Sequence, residues 1–221
     1  MAITRIIAAM LMVTLTTLSY AQKTISEGTI IYKITTQSDG KSSSVDPMIG
    51  ATSIVYLKGS LSRTDMVSPL GKETTIYDEK NASGVILKEY SGQKLMITLT
   101  KENWASQNKK FERVAFEPST ETKSIGGYNC SKVTAKLQDG SLLVVYFTSA
   151  INVNNKDYNQ IFKDLPGLPV QYEFEFGKMT FKYLLASIDF SPVPSSKFEI
   201  PKSGFRVITY DESRKERKEG P

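Results

Sequence analysis

Two-residue turn signals between stretches of period-two hydrophobicity recur from Glu27 onward. They constrain the fold of this chain more than any other feature. Once a turn is located, counting outward from it fixes which residues face each other and which side of the sheet each occupies. Gly177-Lys178 puts glycine at the first central position of such a turn. Counting outward pairs Phe176 with Met179, Phe174 with Phe181 and Tyr172 with Tyr183, an apolar and largely aromatic face that reads as core. The other face sets Glu173 opposite Lys182 and Glu175 opposite Thr180, with opposite charges meeting across the ladder. In the same way Ser91-Gly92 pairs Glu89 with Lys94 and Leu87 with Met96, and Gly59-Ser60 joins residues 54–58 to 61–66. Further strands are predicted over residues 28–36, 74–78, 179–190 and 205–210. About ten strands with short connections predict a mainly β fold, a curved antiparallel sheet forming an incomplete barrel with one or two short helices.

Asp139-Gly140 is a second strong turn signal. Read as a two-residue turn, it sets Leu137 opposite Leu142, Ala135 opposite Val144 and Val133 opposite Tyr146. Leu143, Val145 and Phe147 then fall on the opposite face, so residues 142–147 are apolar on both sides. A strand of that kind needs cover on both faces. A helix, a loop or a bound apolar ligand could supply it, which makes Leu143, Val145 and Phe147 the predicted cavity-lining residues. One segment reads as a helix. Tyr158, Ile161, Phe162 and Leu165 share a helical face, Asn155 is placed to cap it and Pro166 to end it. Residues 101–116, with the sole tryptophan Trp104, fit either a loop or a short helix.

Residues 1–21 have the layout of a secretory signal: Arg5, an apolar run over 6–18, and small residues Ser19 and Ala21 before a cleavage point. The run is shorter than the roughly 20 residues a membrane-spanning helix needs. No later stretch is long enough either, so no transmembrane segment is predicted. The expected organisation is a signal peptide over 1–21, a single half-barrel domain over 22–210, and a charged tail over 211–221, flexible or a fraying helix. Localisation follows as exported, periplasmic or extracellular. The lone Cys130 has no disulfide partner and reads as a buried, inert thiol. Gly126-Gly127 reads as a bulge or sharp bend entering the strand that holds it.

The formal net charge is +5. Lys and Arg are scattered among acids, with Lys109-Lys110 the nearest thing to a cluster. That is unlike the one-sided basic face of nucleic-acid binders. It suits a basic surface with a mild attraction for anionic lipid headgroups. The chain has no histidine, which removes Ser-His-Asp and Cys-His catalysis and histidine-based metal sites. A glycosidase-like carboxylate pair is the remaining enzyme route, but Glu173 already has Lys182 as its cross-strand partner. No catalytic residue, metal ligand or cofactor is predicted.

Several phrases, taken in order, carry a resemblance. They are Glu27-Gly28-Thr29-Ile30, Val55-Tyr56-Leu57-Lys58-Gly59 with Ser62-Arg63, and Ile125-Gly126-Gly127-Tyr128-Asn129-Cys130-Ser131-Lys132. Tyr146-Phe147-Thr148, Leu165-Pro166-Gly167-Leu168-Pro169-Val170 and Phe198-Glu199-Ile200-Pro201 follow. Together they resemble a Bacteroidetes secreted protein family of unknown function, itself similar to the lipoprotein-carrier fold of LolA and LppX type. The resemblance implies an incomplete barrel partly closed by helices around an apolar cavity, a second source of cover for residues 142–147. It implies no catalytic residue. The expectation is a non-enzymatic envelope protein binding a lipid or other apolar ligand in that cavity. The alternative is a structural or interaction module that docks another envelope protein.

Overall fold

The computed structural model describes residues 22–38, 50–176 and 179–219. The expected signal peptide over 1–21 and the Gly177-Lys178 turn lie outside the described residues. Seven strands come first: β1 (Lys23–Ile25), β2 (Glu27–Ser38), β3 (Thr52–Lys58), β4 (Leu61–Ser68), β5 (Gly71–Asp78), β6 (Ser83–Tyr90) and β7 (Gln93–Leu99). Helix α1 (Lys101–Asn108) follows and runs into a 3-10 turn at Lys109–Phe111. Next come β8 (Glu117–Ile125), β9 (Tyr128–Lys136), β10 (Leu142–Thr148) and β11 (Ile151–Val153). Two 3-10 turns, Lys156–Tyr158 and Gln160–Phe162, lead to β12 (Leu168–Phe176) and β13 (Met179–Asp189). A 3-10 turn at Ser195–Phe198, β14 (Arg206–Thr209) and helix α2 (Tyr210–Glu219) complete the described chain.

Twelve strands form one curved sheet that does not close into a barrel, in the order β14-β7-β6-β5-β4-β3-β2-β13-β12-β10-β9-β8. Neighbours are antiparallel except β14, which runs parallel to β7, so the sheet is mixed rather than wholly antiparallel. The parallel edge arises because the chain leaves β13 near the middle of the sheet and returns to its far edge. On the way Val193 and Phe198 pack with Ile76, Val85 and Leu87 on the outer face. β1 and β11 form a separate parallel pair, and their Ile25, Ile151 and Val153 join the inner core. No helix among the described residues is long and apolar enough to cross a membrane.

The registers counted from Gly59-Ser60, Ser91-Gly92 and Gly177-Lys178 are those observed, down to Tyr172 opposite Tyr183 and Glu173 opposite Lys182. The hairpin at Asp139-Gly140 is displaced by one residue. Leu143 faces Ala135 and Val145 faces Val133. The loop has three residues, closed by Leu137 and Ser141 through an N–H to carbonyl bond of 2.9 Å, with Gly140 at φ +87°. A left-handed glycine after a turn is the usual three-residue hairpin, which shifts the register by one. Gly126-Gly127 likewise proves to be a hairpin turn, between β8 and β9, with both glycines at positive φ.

The helix expected over 155–165 is not formed. Asn155 does not cap it, because its amide donates instead to the Gly59 carbonyl at 3.3 Å. Asn159 is extended at φ −151° and splits the segment into two 3-10 turns. Ile161, Phe162 and Leu165 are buried all the same. The charged C-terminal stretch is helical as α2 through Glu219, and its Ser213 is buried.

Gly167 sits where the chain approaches the end of β10. A Cβ there would lie 2.2 Å from the Thr148 carbonyl oxygen. Gly167→Ala is expected to cost about 1–3 kcal/mol, the range for forced overpacking. For a domain of this size that lowers the melting temperature by roughly 2–4 °C per kcal/mol, read by thermal unfolding. An unchanged melting temperature would show that β10 and β12 can separate without cost.

Candidate functional site

Strand alternation puts Tyr32, Val55, Met66 and Tyr172 on one side of the sheet, together with Leu143, Val145 and Phe147. This inner face has two zones. Over β10 and β12 it is filled: Leu143 and Val145 are 0% exposed and Phe147 is 9% exposed, within a core that includes Ile25, Ile151, Val153 and Leu165. These three predicted cavity residues therefore belong to the packed core. The one-residue register shift placed them there, and they are not on the walls of the clefts described below. The outer face of β10 is covered by polar chemistry instead. The Tyr146 hydroxyl donates to Glu121 at 2.6 Å, and Lys132 pairs with the same carboxylate at 2.8 Å.

Over β3, β4 and β5 the inner face is roofed rather than filled. The roof begins with α1, whose start is fixed by a reciprocal cap. Thr100 Oγ1 accepts from the Asn103 backbone N–H at 3.3 Å, and Asn103 Oδ1 accepts from the Thr100 N–H at 3.1 Å. Trp104 stacks on Tyr77 of β5 with ring centres 3.9 Å apart. Phe111 and the 3-10 turns with Tyr158 and Phe162 extend the roof toward β12. Between roof and floor lies a cleft of about 300 Å3, with Val55, Met66, Phe111, Phe162 and Tyr172 among its walls. It adjoins a smaller cleft of about 220 Å3 that shares Met66, Phe111 and Tyr172. Glu73, Asn108 and Gln160, with Ser53, Thr64, Thr75, Gln107 and Asn159, supply the polar part of the lining.

Tyr172 organises the floor. Its ring meets Tyr32 edge-on at 5.7 Å and Phe162 edge-on at 4.8 Å, and stacks on Tyr183 at 4.5 Å. The Tyr32 hydroxyl donates to the Pro169 carbonyl at 2.9 Å. Burial pushes Tyr183 up to about 12 and raises Tyr32, Tyr158 and Tyr172 as well. These phenols stay neutral at physiological pH.

The other groups singled out in the sequence lie away from the cleft or do structural work. Glu173 pairs with Lys182 at 3.0 Å. Cys130 is buried, donates to the Tyr128 carbonyl at 3.4 Å, and has its thiol pushed up by burial. Among the described residues the most buried carboxylate, Asp65, is held on the outer face by Arg63, Lys72 and Thr74. Among the described residues no three His, Cys, Asp or Glu side chains converge as a metal site would require. The roof residues Trp104 and Phe111 were missed as site residues. The only signal for them was a segment, 101–116, without apolar periodicity.

No protein-family model matches the chain, and neither does any curated protein. Among solved structures it is similar to PNGF-II, with a TM-score of 0.49 and 14% identity over 85% of this chain and 32% of that one. The chain thus spans about a third of the length of PNGF-II. Lipoprotein LppX of Mycobacterium tuberculosis aligns with a TM-score of 0.40 and 10% identity, over 76% of this chain and 89% of that one. A LolA superfamily protein from Nitrosomonas europaea aligns with a TM-score of 0.35 and 10% identity, over 81% and 91%.

Proposed function

We propose that this chain is an exported, non-enzymatic protein of the cell envelope that binds a lipid or other apolar molecule in the inner-face cleft. The observation that carries the reading is the roofed cleft itself. Apolar side chains stand on both of its surfaces, Val55 and Met66 below and Phe111 and Phe162 above. Its volume of about 300 Å3 falls at the lower end of the roughly 300–1,000 Å3 range of ligand pockets. The signal-like residues 1–21 support export.

Native mass spectrometry of the protein purified gently from its own periplasm tests this. Adducts of lipid size that organic extraction removes are expected. A clean apo mass that stays unchanged after mixing with envelope lipids would overturn the reading. The alternative is a structural or interaction module that docks another envelope protein; docking by strand pairing along β8 is disfavoured by the nature of that edge. That edge is exposed and polar from Glu117 to Ser124, carries Pro118, and breaks register between Pro118 and Thr122. Proline, charge and irregularity are the means by which edges avoid pairing with other strands.

A further inference from the structure

Building on that reading, we propose that the ligand is a single-chain anionic amphiphile. Its chain lies in the cleft beneath Phe111, and its acidic head meets a basic recess on the other side of the same roof. The recess lies over β5, β6 and β7 between α1 and α2 and encloses about 790 Å3. Lys88, Lys109, Lys110 and Arg214 line it against a single carboxylate, Glu73. Lys88 already holds Glu73 at 3.3 Å. Among the described residues Lys109, Lys110 and Arg214 have no ion pair; Lys110 sits 4.7 Å from the ring centre of Phe111 and Arg214 6.0 Å from that of Tyr210. A concave surface with an excess of one charge concentrates ligands of the other.

The recess and the apolar cleft adjoin. Glu73, Gln107, Asn108 and Phe111 line both. Gln107 Oε1, at the junction, and Trp104 Nε1, in the cleft, are buried without hydrogen-bond partners. The indole N–H is a donor only and the amide oxygen an acceptor only. A wholly apolar occupant leaves both unmet.

Trp104 is the only tryptophan in the chain, and it lines the cleft, so its emission reports occupancy. The mature protein is titrated with dodecanoate, dodecyl phosphate, dodecanol and inorganic phosphate, each below any micelle concentration. Both acids are expected to shift the emission saturably, with Kd about tenfold below that of dodecanol, the size a few partly exposed charge contacts supply. Lys109→Glu with Lys110→Glu, both on exposed side chains, is expected to close that gap by weakening the acids at least tenfold more than dodecanol. The tighter of the two acids then distinguishes a carboxylate head from a phosphate head. Equal affinity for dodecanol and the acids overturns the acidic head and leaves the apolar cleft standing. A response to inorganic phosphate equal to that of dodecyl phosphate overturns the need for a chain. Silence from all four compounds overturns both this inference and the function it rests on.

Discussion

Replacing Tyr172 with alanine is expected to destabilise the protein by about 3–5 kcal/mol, as deletion of a large buried aromatic side chain does. One ring supports three others, Tyr32, Phe162 and Tyr183, drawn from β2, a 3-10 turn and β13. Its removal leaves a cavity that no single neighbour is free to fill, because each is held by its own strand or turn. At roughly 2–4 °C per kcal/mol for a domain of this size, the melting temperature falls by on the order of 10 °C. The same ring forms part of the cleft floor, so the Trp104 response to an apolar probe is lost in the same variant. Tyr172→Phe keeps the stacking and is expected to cost less than about 1.5 kcal/mol. Equal losses in the two variants would mean that the hydroxyl, not the ring, is the structural element.

Asp65→Ala is expected to cost about 3 kcal/mol at neutral pH. The carboxylate side chain is 8% exposed and accepts from Arg63 Nε at 2.7 Å and Thr74 Oγ1 at 2.8 Å, with Lys72 at 3.1 Å. Removing one partner of a buried pair costs roughly 3–5 kcal/mol. Lys72 is 33% exposed and Arg63 17%, and solvent screening of both places the expected cost at the low end of that range. Burial alone would raise Asp65. The hydrogen bonds from Arg63 and Thr74, the Arg63 charge and Lys72 together bring it below the ordinary carboxylate value. A folded-state value below the unfolded one, about 3.9, gives stability that is complete above that pH and is lost as pH falls through the folded value. The stability difference between the wild type and Asp65→Asn is therefore largest near neutrality and shrinks below about pH 4. Urea midpoints at pH 7 and pH 3 measure it. A gap of the same size at both would show that the ion cluster contributes no pH-dependent stability.

What could be read from the sequence depended on whether the side chains or the loop decided the structure. The Tyr172–Tyr183 register was legible because both faces of that hairpin agreed, aromatic on one side and charge-paired on the other. Asp139-Gly140 looked equally firm, yet the same dipeptide serves two loop lengths. The three-residue form moved Leu143, Val145 and Phe147 from a supposed second face into the main core. β8 was invisible because its residues from Glu117 to Ser124 are exposed and polar, leaving no alternation to detect. For residues 155–165 the periodicity identified the buried side chains but not the backbone. Asn155 is bound to a carbonyl distant in sequence, and Asn159 interrupts the helix. The cleft roof was not legible as a site, since α1 forms through its capping residues and carries no apolar face.

Helix α1 has no fully buried residue of its own and is secured by its cap and by the Trp104–Tyr77 stack. The floor strands β3 and β4, in contrast, are hydrogen-bonded on both sides within the sheet. Segments with few buried contacts open at low free energy, whereas central strands open only with the whole domain. The molecule thus separates a durable wall from an adaptable cover. Substitutions in the cover reshape the cleft at little cost to folding, and the wall beneath keeps its shape while they accumulate.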